Sequence, residues 1–262
     1  MTLHNEIQQL GERAVGAARG LARLSHRKKN AILEAMAKAL DEQRDAIREA
    51  NERDLAAGRE DGLNDAMLDR LELNEKRMDG MIKGLLNVIA LKDPVGSRIS
   101  RWIRPNGLVI QKLRVPIGVI GIIYESRPNV TADAAGLCIK TSNAVILRGG
   151  KEACHSNRII ADTMQEGGAR AGLPDGSIQL IRTTDREAVR ELVQMTECVD
   201  LIIPRGGEGL IRAVSEMAHV PVIKHYKGVC HTYVDASADL SMAMEICVNA
   251  KCQRPGVCNA ME

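Results

Sequence analysis

Near the end of the chain, a cysteine follows a loop that its neighbours force into an irregular shape. Residues 249–260 read NAKCQRPGVCNA, and Gln-Arg-Pro-Gly interrupts a helix-like pattern over residues 240–250. Proline lacks a backbone donor and glycine tolerates unusual dihedral angles, so both favour a loop directly before Cys258. Lys251 and Arg254 lie close in sequence and would favour the thiolate. The stretch is typical of a loop-borne nucleophile; the alternative it leaves open is a small buried hydrophobic cysteine.

Two further segments pair adjacent glycines with cationic residues, each directly after an apolar run. Arg148-Gly149-Gly150-Lys151 follows one run, and Pro204-Arg205-Gly206-Gly207 follows the other. Glycine lets a backbone approach a phosphate, and the helix that follows contributes N–H groups and the positive end of its dipole. Arginine and lysine add charge suited to phosphate. The pattern favours a phosphorylated ligand, although Gly-Gly also closes many ordinary turns, and the Gly-x-Gly-x-x-Gly dinucleotide fingerprint is absent from the sequence.

The elements that must position these residues change along the chain. Residues 1–91 read as amphipathic helices that pack on a larger body, with one run over residues 27–51 and a second over residues 64–89. Asp61-Gly62 separates the two runs, and their charged faces are most simply solvated surface. The apolar stripe of the first run consists of Leu33, Met36, Leu40 and Ile47.

A hairpin is predicted over about residues 100–116. Asn106-Gly107 lies between two β-prone runs, which is a strong short-range hairpin signal. An arm at this place would pair with another subunit and make the protein a homo-oligomer; an ordinary meander is equally compatible with the pattern.

Residues 117–230 alternate short, nearly continuous apolar runs with helical patterns. Such runs are typical of buried parallel strands, and repeated strand–helix units predict an open parallel sheet covered on both faces. Ligands of these sheets bind where strands end and helices begin, which is where both Gly-Gly segments fall. A capping box is predicted at 184–187, and Gly172-Leu-Pro174 is predicted to end a helix. The strands are predicted at residues 118–123, 144–147, 178–181, 199–203 and 220–223, with helices at 130–141, 152–171, 185–197 and 208–218.

Composition excludes several classes of protein. The 262 residues carry a net charge of +2 and include no Phe, one Trp and three Tyr, so binding to nucleic acid or to a membrane surface is not expected. The seven cysteines are odd in number, scattered and without Cys-x-x-Cys, which predicts neither a disulfide framework nor a metal site. The sequence has no signal-like N-terminus and no apolar run of about 18 residues. We therefore expect a reduced, cytoplasmic protein.

Four stretches together resemble the aldehyde dehydrogenase superfamily and, more closely, its gamma-glutamyl phosphate reductase family. They are VPIGVIGIIYESRPNV at 115–130, SNAVILR at 142–148, GLPDG at 172–176 and QRPGVCN at 253–259. The resemblance implies an aldehyde-dehydrogenase-like α/β fold with a Rossmann-type parallel sheet, an N-terminal helical part and a projecting hairpin. It also implies NADPH-dependent reduction of L-glutamyl 5-phosphate to L-glutamate 5-semialdehyde through a cysteinyl thioester, a step of proline biosynthesis.

The same resemblance implies roles for individual residues. Cys258 would attack the acyl phosphate, and the Asn129 amide would help to hold the oxyanion, although asparagine after Pro128 is also a common turn former. Arg127, His225 and Arg254 would bind the substrate. NADP(H) would contact Tyr124, Glu125, Ser126, Arg148, Gly149, Gly150, Lys151, Pro204, Arg205, Gly206 and Gly207, with the cationic run 148–151 suited to the 2′-phosphate.

One departure from the wider superfamily supports a reductase. Aldehyde-oxidising members carry a glutamate base in a Glu-Leu-Gly-Gly motif, whereas the corresponding residues 224–228 read KHYKG. A reductase gains nothing from hydrolysing its thioester, so the missing carboxylate is sensible. His225 could still act as a base, but its charged neighbours fit an anionic substrate better.

The resemblance also implies how the chain is divided. Residues 1–230 would form the NADP-binding domain and residues 231–262 the start of the catalytic domain; in the family a further lobe follows, so we expect that domain to be largely absent here. Contact with glutamate 5-kinase, which supplies the unstable acyl phosphate, is a further expectation. An aldehyde-oxidising dehydrogenase and a non-catalytic NADP-binding module stay open as alternatives. A helical adaptor is less suitable, because it leaves the Gly-Gly segments without a purpose.

Overall fold

The computed structural model describes residues 2–224, 228–253, 255 and 260–262. The chain begins with five helices, four of which start at a polar cap, since the side chains of Thr2, Ser25, Asn64 and Asn74 each accept a backbone N–H three residues further on. The third helix has no side-chain cap. These helices are α1 (Leu3–Leu21), α2 (His26–Glu42), α3 (Arg44–Glu60), α4 (Asp65–Leu71) and α5 (Glu75–Ala90).

The predicted amphipathic runs are confirmed, but each is divided between two helices. The apolar stripe of the first run is fully buried, with Leu33, Met36 and Leu40 on α2 and Ile47 on α3. The second run breaks between α4 and α5, where Asn74 caps the new helix. A cap inside a periodic pattern therefore marked a boundary that periodicity alone could not place.

The predicted parallel sheet is confirmed. Its strands lie in the order β5-β4-β3-β6 and every pair is parallel. The side chains of β3 and β4 are buried along their whole length, as a sheet covered on both faces requires. The strands are β3 (Val119–Tyr124), β4 (Ala144–Arg148), β5 (Ile178–Leu180) and β6 (Leu201–Arg205).

The strand predicted at 220–223 is reduced to a single parallel bridge. Val222 pairs with Ile202, and the Pro221 carbonyl accepts the N–H of Ile202 at 2.9 Å. Because Pro221 has no N–H to donate, it cannot continue a ladder of hydrogen bonds.

Helices cover the sheet on both faces. On one face α1 contacts β4 and β5 while α8 contacts β3; on the other, α6 and α7 contact the strands and carry α2, α3 and α5 as an outer layer. None of the described helices is both long and apolar enough to cross a lipid bilayer. The remaining helices are α6 (Asn129–Lys140), α7 (Cys154–Arg170), α8 (Glu187–Gln194), α9 (Glu208–Met217) and α10 (Leu240–Cys252).

Two predicted helix ends have different outcomes. Gly172 adopts a φ of 86° just after α7 and its N–H bonds the Ala169 carbonyl, which confirms the predicted stop. The capping box at 184–187 is wrong: α8 begins at Glu187, whose N–H is accepted by Asp185 Oδ1 at 2.9 Å. Asp185 reaches that N–H from two residues before it, so the hydroxyl of Thr184 is not needed.

The predicted hairpin is confirmed and consists of β1 (Arg98–Ile103) and β2 (Val109–Leu113) in antiparallel register. The Arg104 N–H bonds the Leu108 carbonyl at 2.9 Å, so the loop between them consists of Pro105, Asn106 and Gly107, the three residues that the two predicted runs flank. Gly107 donates its N–H to the Arg104 carbonyl and has a φ of 84°. The strands bury no side chain in the described chain. Their pairing with another subunit stays a prediction.

Helix α10 also has no buried residue in the described part of the chain. Asp239 caps its N-terminus through the N–H of Met242 at 2.8 Å. Leu240, Met244 and Val248 are all more than half exposed, so apolar side chains cover the surface of this helix.

Candidate functional site

The sheet has a topological switch point between β3 and β6. From the central strand β3 the chain moves to β4 and β5 on one side, and it then returns to place β6 on the other side of β3. The helices that follow β3 and β6 therefore lie on opposite faces of the sheet, which is the arrangement that forms a crevice at the carboxyl ends of two such strands. Such crevices are where open α/β sheets bind ligands.

The β3 and β6 loops meet in this crevice. The N–H of Gly207, the residue before α9, is 2.8 Å from Glu125 Oε2, which accepts its hydrogen bond. Gly207 has no side chain with which to cap α9, so Glu125 supplies a cap across the crevice. A Cβ at Gly206 would lie 2.5 Å from Glu125 Oε2, while one at Gly209 would meet no atom within 4 Å. The first turn of α9 is thus open enough for another molecule to approach its backbone.

In the loop after β4 both glycines are packed, whereas after β6 only Gly206 is. A Cβ at Gly149 would lie 2.1 Å from Asn157 Nδ2, and one at Gly150 would lie 2.2 Å from Glu152 Oε1. Close internal packing therefore accounts for both glycines without a ligand. The two Gly-Gly segments look alike in sequence, yet only the one at 206–207 leads into an open helix N-terminus.

Arg148 is directed into the protein. Its residue is 9% exposed, and its guanidinium donates from Nη1 to the Gly149 carbonyl at 2.8 Å and from Nη2 to the Thr184 carbonyl at 3.0 Å. Burial lowers the pKa of Arg148, an effect that the negative charge of Glu152 opposes. Arg148 ties the β4 and β5 loops together, so the free protein does not offer its guanidinium to a phosphate.

Lys151 is the cation of this segment that faces solvent. Its side chain is 71% exposed, and Nζ lies 3.2 Å from Asp61 Oδ2 at the end of α3. An exposed pair of this kind is weak, so an incoming anion could replace Asp61.

Glu152, which the sequence analysis did not single out, joins the β3 and β4 loops. Its Oε1 accepts hydrogen bonds from the backbone N–H and the hydroxyl of Ser126, both at 2.7 Å. The residue follows Lys151 in a short 3-10 turn (Lys151–Ala153) ahead of α7. A sequence signal existed, since an acidic residue at a helix start is a common capping group. The sequence could not show that its partner would be Ser126, in the loop after β3.

The other residues predicted to bind the cofactor or the substrate at the ends of β3 and β6 differ in how far they are buried. Tyr124 is buried, its hydroxyl bonds Thr131 Oγ1 at 2.6 Å, and burial raises its pKa, so only its backbone faces the loop. Pro204 is buried in β6. Arg127 and Arg205 are exposed, and both take part in interactions within the protein.

Asn129 begins α6 beside the crevice. Its Nδ2 donates to Asp133 Oδ2 at 2.9 Å one turn further along the helix. Burial raises the pKa of Asp133, and the hydrogen bond from Asn129 opposes that rise. The bond fixes the side-chain amide and leaves one of its two N–H donors for another acceptor. Cys258, His225 and Arg254 lie outside the described residues, so their predicted roles rest on the sequence.

One cluster of possible metal ligands occurs in the described chain. Asp54, Cys154 and His155 place one ligand atom each within 4.8 Å of one another. The Asp54 carboxylate, however, accepts the N–H groups of His155 at 3.1 Å and Ser156 at 2.8 Å, so it caps α7. Burial, with the charge of Asp54, raises the pKa of Cys154 and disfavours the thiolate that a metal needs. The cluster is a helix cap.

Glu152→Ala is expected to loosen the β3 loop. Ser126 loses both hydrogen bonds to a carboxylate, and the opening free energy of its amide should fall by about 2 kcal/mol, roughly a 30-fold faster exchange. Hydrogen exchange of the peptide over residues 124–128 measures this. Glu166→Ala removes an exposed glutamate from α7 as a control. Equal exchange in both variants would show that Glu152 does not hold the loop.

Comparison with known proteins identifies the class first: residues 3–262 match the model of the aldehyde dehydrogenase family. The chain belongs to the aldehyde dehydrogenase family.

Within that class, the chain is similar to gamma-glutamyl phosphate reductases, as the sequence motifs predicted. It is 59% identical over 262 residues to the gamma-glutamyl phosphate reductase of Moorella thermoacetica and spans 63% of that protein's length. The crystal structure of the Thermotoga maritima gamma-glutamyl phosphate reductase aligns with a TM-score of 0.92 at 46% identity, covering 98% of this chain and 62% of that one. The crystal structure of the Saccharomyces cerevisiae gamma-glutamyl phosphate reductase aligns with a TM-score of 0.79 at 37% identity. That alignment covers 98% of this chain and 64% of the yeast chain. The predicted fold class is confirmed.

Proposed function

We propose that this chain contributes the cofactor crevice and the nucleophile for NADPH-dependent reduction of L-glutamyl 5-phosphate to L-glutamate 5-semialdehyde and phosphate. The observation that carries the proposal is the crevice between β3 and β6, where the N-terminus of α9 opens beside Glu125. The support from relatives is their name, gamma-glutamyl phosphate reductase, at 50–59% identity over the whole of this chain. A nicotinamide cofactor accords with membership of the aldehyde dehydrogenase family.

The residues of the crevice fit a dinucleotide phosphate. The backbone at Gly207 and Gly209 can be approached closely, because a Cβ at Gly207 would meet one atom, at 3.9 Å, and one at Gly209 none within 4 Å. The helix dipole favours an anion at this end. Lys151 is the exposed cation that would hold the 2′-phosphate of NADP, whereas Arg148 would position the loop that carries it.

The protein's part in the reaction follows from its residues. The Cys258 thiolate forms a C–S bond with the acyl carbon as the C–O bond to phosphate breaks, which gives a thioester and releases phosphate. The Asn129 amide and the Cys258 N–H would stabilise the charge that develops on the carbonyl oxygen. Arg127, His225 and Arg254 would hold the substrate's anionic groups. NADPH, when bound, supplies the hydride that reduces the thioester.

Running the reaction in reverse tests this proposal. Purified protein with glutamate 5-semialdehyde and NADP is expected to reduce NADP only when inorganic phosphate is present, because phosphate is the acceptor of the acyl group. Reduction that proceeds equally without phosphate would indicate the aldehyde-oxidising alternative. NADPH binding with no turnover under either condition would indicate the non-catalytic module.

Other features of the proposal concern the setting of the enzyme. Homo-oligomers would form through the hairpin of β1 and β2, whose side chains are exposed or half-buried. Contact with glutamate 5-kinase and a cytoplasmic location belong to the same proposal. Co-elution of the two purified enzymes at native concentration tests the contact, and clean separation counts against it.

A further inference from the structure

The end of α9 that suits an anion already holds a carboxylate of the chain itself. We propose that Glu125 is an intramolecular competitor of the cofactor's pyrophosphate: it caps α9 in the free protein and has to leave when the phosphate binds. The inference rests on the proposed function, because it concerns the same crevice. It adds a residue that sets cofactor affinity by occupying the site rather than by contacting the ligand.

The hydrogen bond between Glu125 and Gly207 is of the kind that a bound phosphate would make at the same place. Glu125 Oε2 accepts the Gly207 N–H at 2.8 Å, in the crevice between the carboxyl ends of β3 and β6. A carboxylate only accepts hydrogen bonds, as a phosphate does, so both need the same donor. Two anions a few ångströms apart also repel each other. The Gly207 N–H therefore cannot serve both at once.

The carboxylate can be displaced without rebuilding the loop. Glu125 is exposed, and its backbone N–H is tied separately to the Arg205 carbonyl at 3.3 Å. Rotation about side-chain bonds is enough to remove the carboxylate while the backbone stays in place. Ser126, the next residue, is held by Glu152, which keeps the rest of the loop fixed during that rotation.

The competition predicts a specific pattern of selectivity. NADPH and NADH both contain the pyrophosphate, so Glu125 should weaken the binding of both dinucleotides by the same factor. Lys151, which lies at another loop, should influence only the ligand with a 2′-phosphate. The affinity for a ligand without a pyrophosphate, such as adenosine 2′-phosphate, should not depend on Glu125.

Calorimetric titration of the purified protein and of Glu125→Gln tests the proposal with NADPH, NADH and adenosine 2′-phosphate. The Kd of both dinucleotides is expected to fall by about three- to tenfold in the variant, and that of adenosine 2′-phosphate to stay within about twofold. Glu125→Ala, which removes the acceptor altogether, should tighten dinucleotide binding at least as much. Thermal unfolding without ligand establishes that each variant is folded.

Glu208→Gln is the matched control, because it removes the same charge from the first residue of α9 while the Glu125 contact stays. Glu208 pairs with Arg212 instead, at 2.7 Å. Dinucleotide binding unchanged or weakened in both Glu125 variants would overturn the inference while leaving the proposed cofactor intact. The inference would also be overturned if Glu208→Gln tightened dinucleotide binding equally, or if the Glu125 variants tightened the binding of adenosine 2′-phosphate equally. In either case the lost negative charge, and not the vacated Gly207 N–H, would be the cause. No nucleotide binding by any form would overturn both the inference and the proposed cofactor.

Discussion

Lys29→Met is expected to lower the free energy of unfolding by about 3 kcal/mol, because removing one partner of a buried ion pair leaves the other uncompensated. Lys29 is 1% exposed although it lies on α2, and its Nζ is 2.6 Å from Asp93 Oδ2. Nζ also donates to Ser142 Oγ at 2.9 Å, just before β4. The ammonium thus joins the outer helices to the sheet, and methionine can fill its space without replacing either contact.

Urea denaturation with Lys28→Met as the control measures this effect. Lys28 is the preceding residue on the same helix but is exposed, so its substitution should change stability by less than about 0.5 kcal/mol. Adding Asp93→Asn to Lys29→Met should recover part of the loss, because the stranded charge disappears while the bond from the Val95 N–H is kept. Equal costs for Lys28→Met and Lys29→Met would show that the pair does not stabilise the fold.

The cost of Lys29→Met should depend on pH. Burial raises the pKa of Asp93, but the hydrogen bond and charge of Lys29, with the Val95 N–H and the charge of His26, bring it below its usual value. A depressed carboxyl pKa adds stability above the unfolded-state pKa of about 3.9, and this stability is lost as the pH falls through the folded-state pKa. In the variant, Asp93 loses both the hydrogen bond and the charge of Lys29, so its pKa is lowered less and its ionised form stabilises the fold less. The deficit should therefore be constant around pH 7 and narrow as the pH falls below about 3.9.

The fold could be predicted from the sequence because hydrophobic patterns depend on residues that are close together in the chain. Continuous apolar runs predicted the buried parallel strands, and the stripe through Leu33 and Leu40 predicted the helical layer. The errors have local causes as well: Pro221 cannot donate to a ladder, and Asp185 caps a helix that the hydroxyl of Thr184 was expected to cap. A pattern describes which side chains are buried, whereas single hydrogen bonds decide where an element ends.

The candidate site was less readable, because its contacts join residues far apart in sequence. Glu125 meets Gly207 across 82 positions, and Arg148 reaches the Thr184 carbonyl on the next loop. Residue type identified Arg148 as a phosphate ligand, but burial turned its guanidinium to backbone carbonyls. The exposed Lys151 in the same segment is the better candidate. Arg148 is the last residue of β4 and Lys151 begins the 3-10 turn that follows, so their different exposure depends on where the strand ends, which residue type does not show.

Cys258→Ala is expected to reduce the phosphate-dependent activity by at least about a thousandfold, because alanine offers no atom that can form the acyl intermediate. NADPH affinity should stay within about twofold, since the proposed crevice contacts lie on the β3, β4 and β6 loops. The control is Cys252→Ala, which removes an exposed thiol at the end of α10. Equal losses in the two variants would mean that Cys258 has no special part.

A chemical measurement tests the same residue without turnover. Nucleophilic cysteines react as thiolates, so at about pH 6.5 iodoacetamide should alkylate Cys258 at least about tenfold faster than Cys252. Mass spectrometry of the modified peptides gives both rates in one sample, with the exposed Cys252 as the internal reference. Lys251 and Arg254 lie near both thiols in sequence, so the positive charge of these neighbours alone would accelerate the alkylation of Cys252 and Cys258 equally. Faster labelling of Cys258 would therefore indicate an environment built for a thiolate, while equal or slower labelling would argue against its role as the nucleophile.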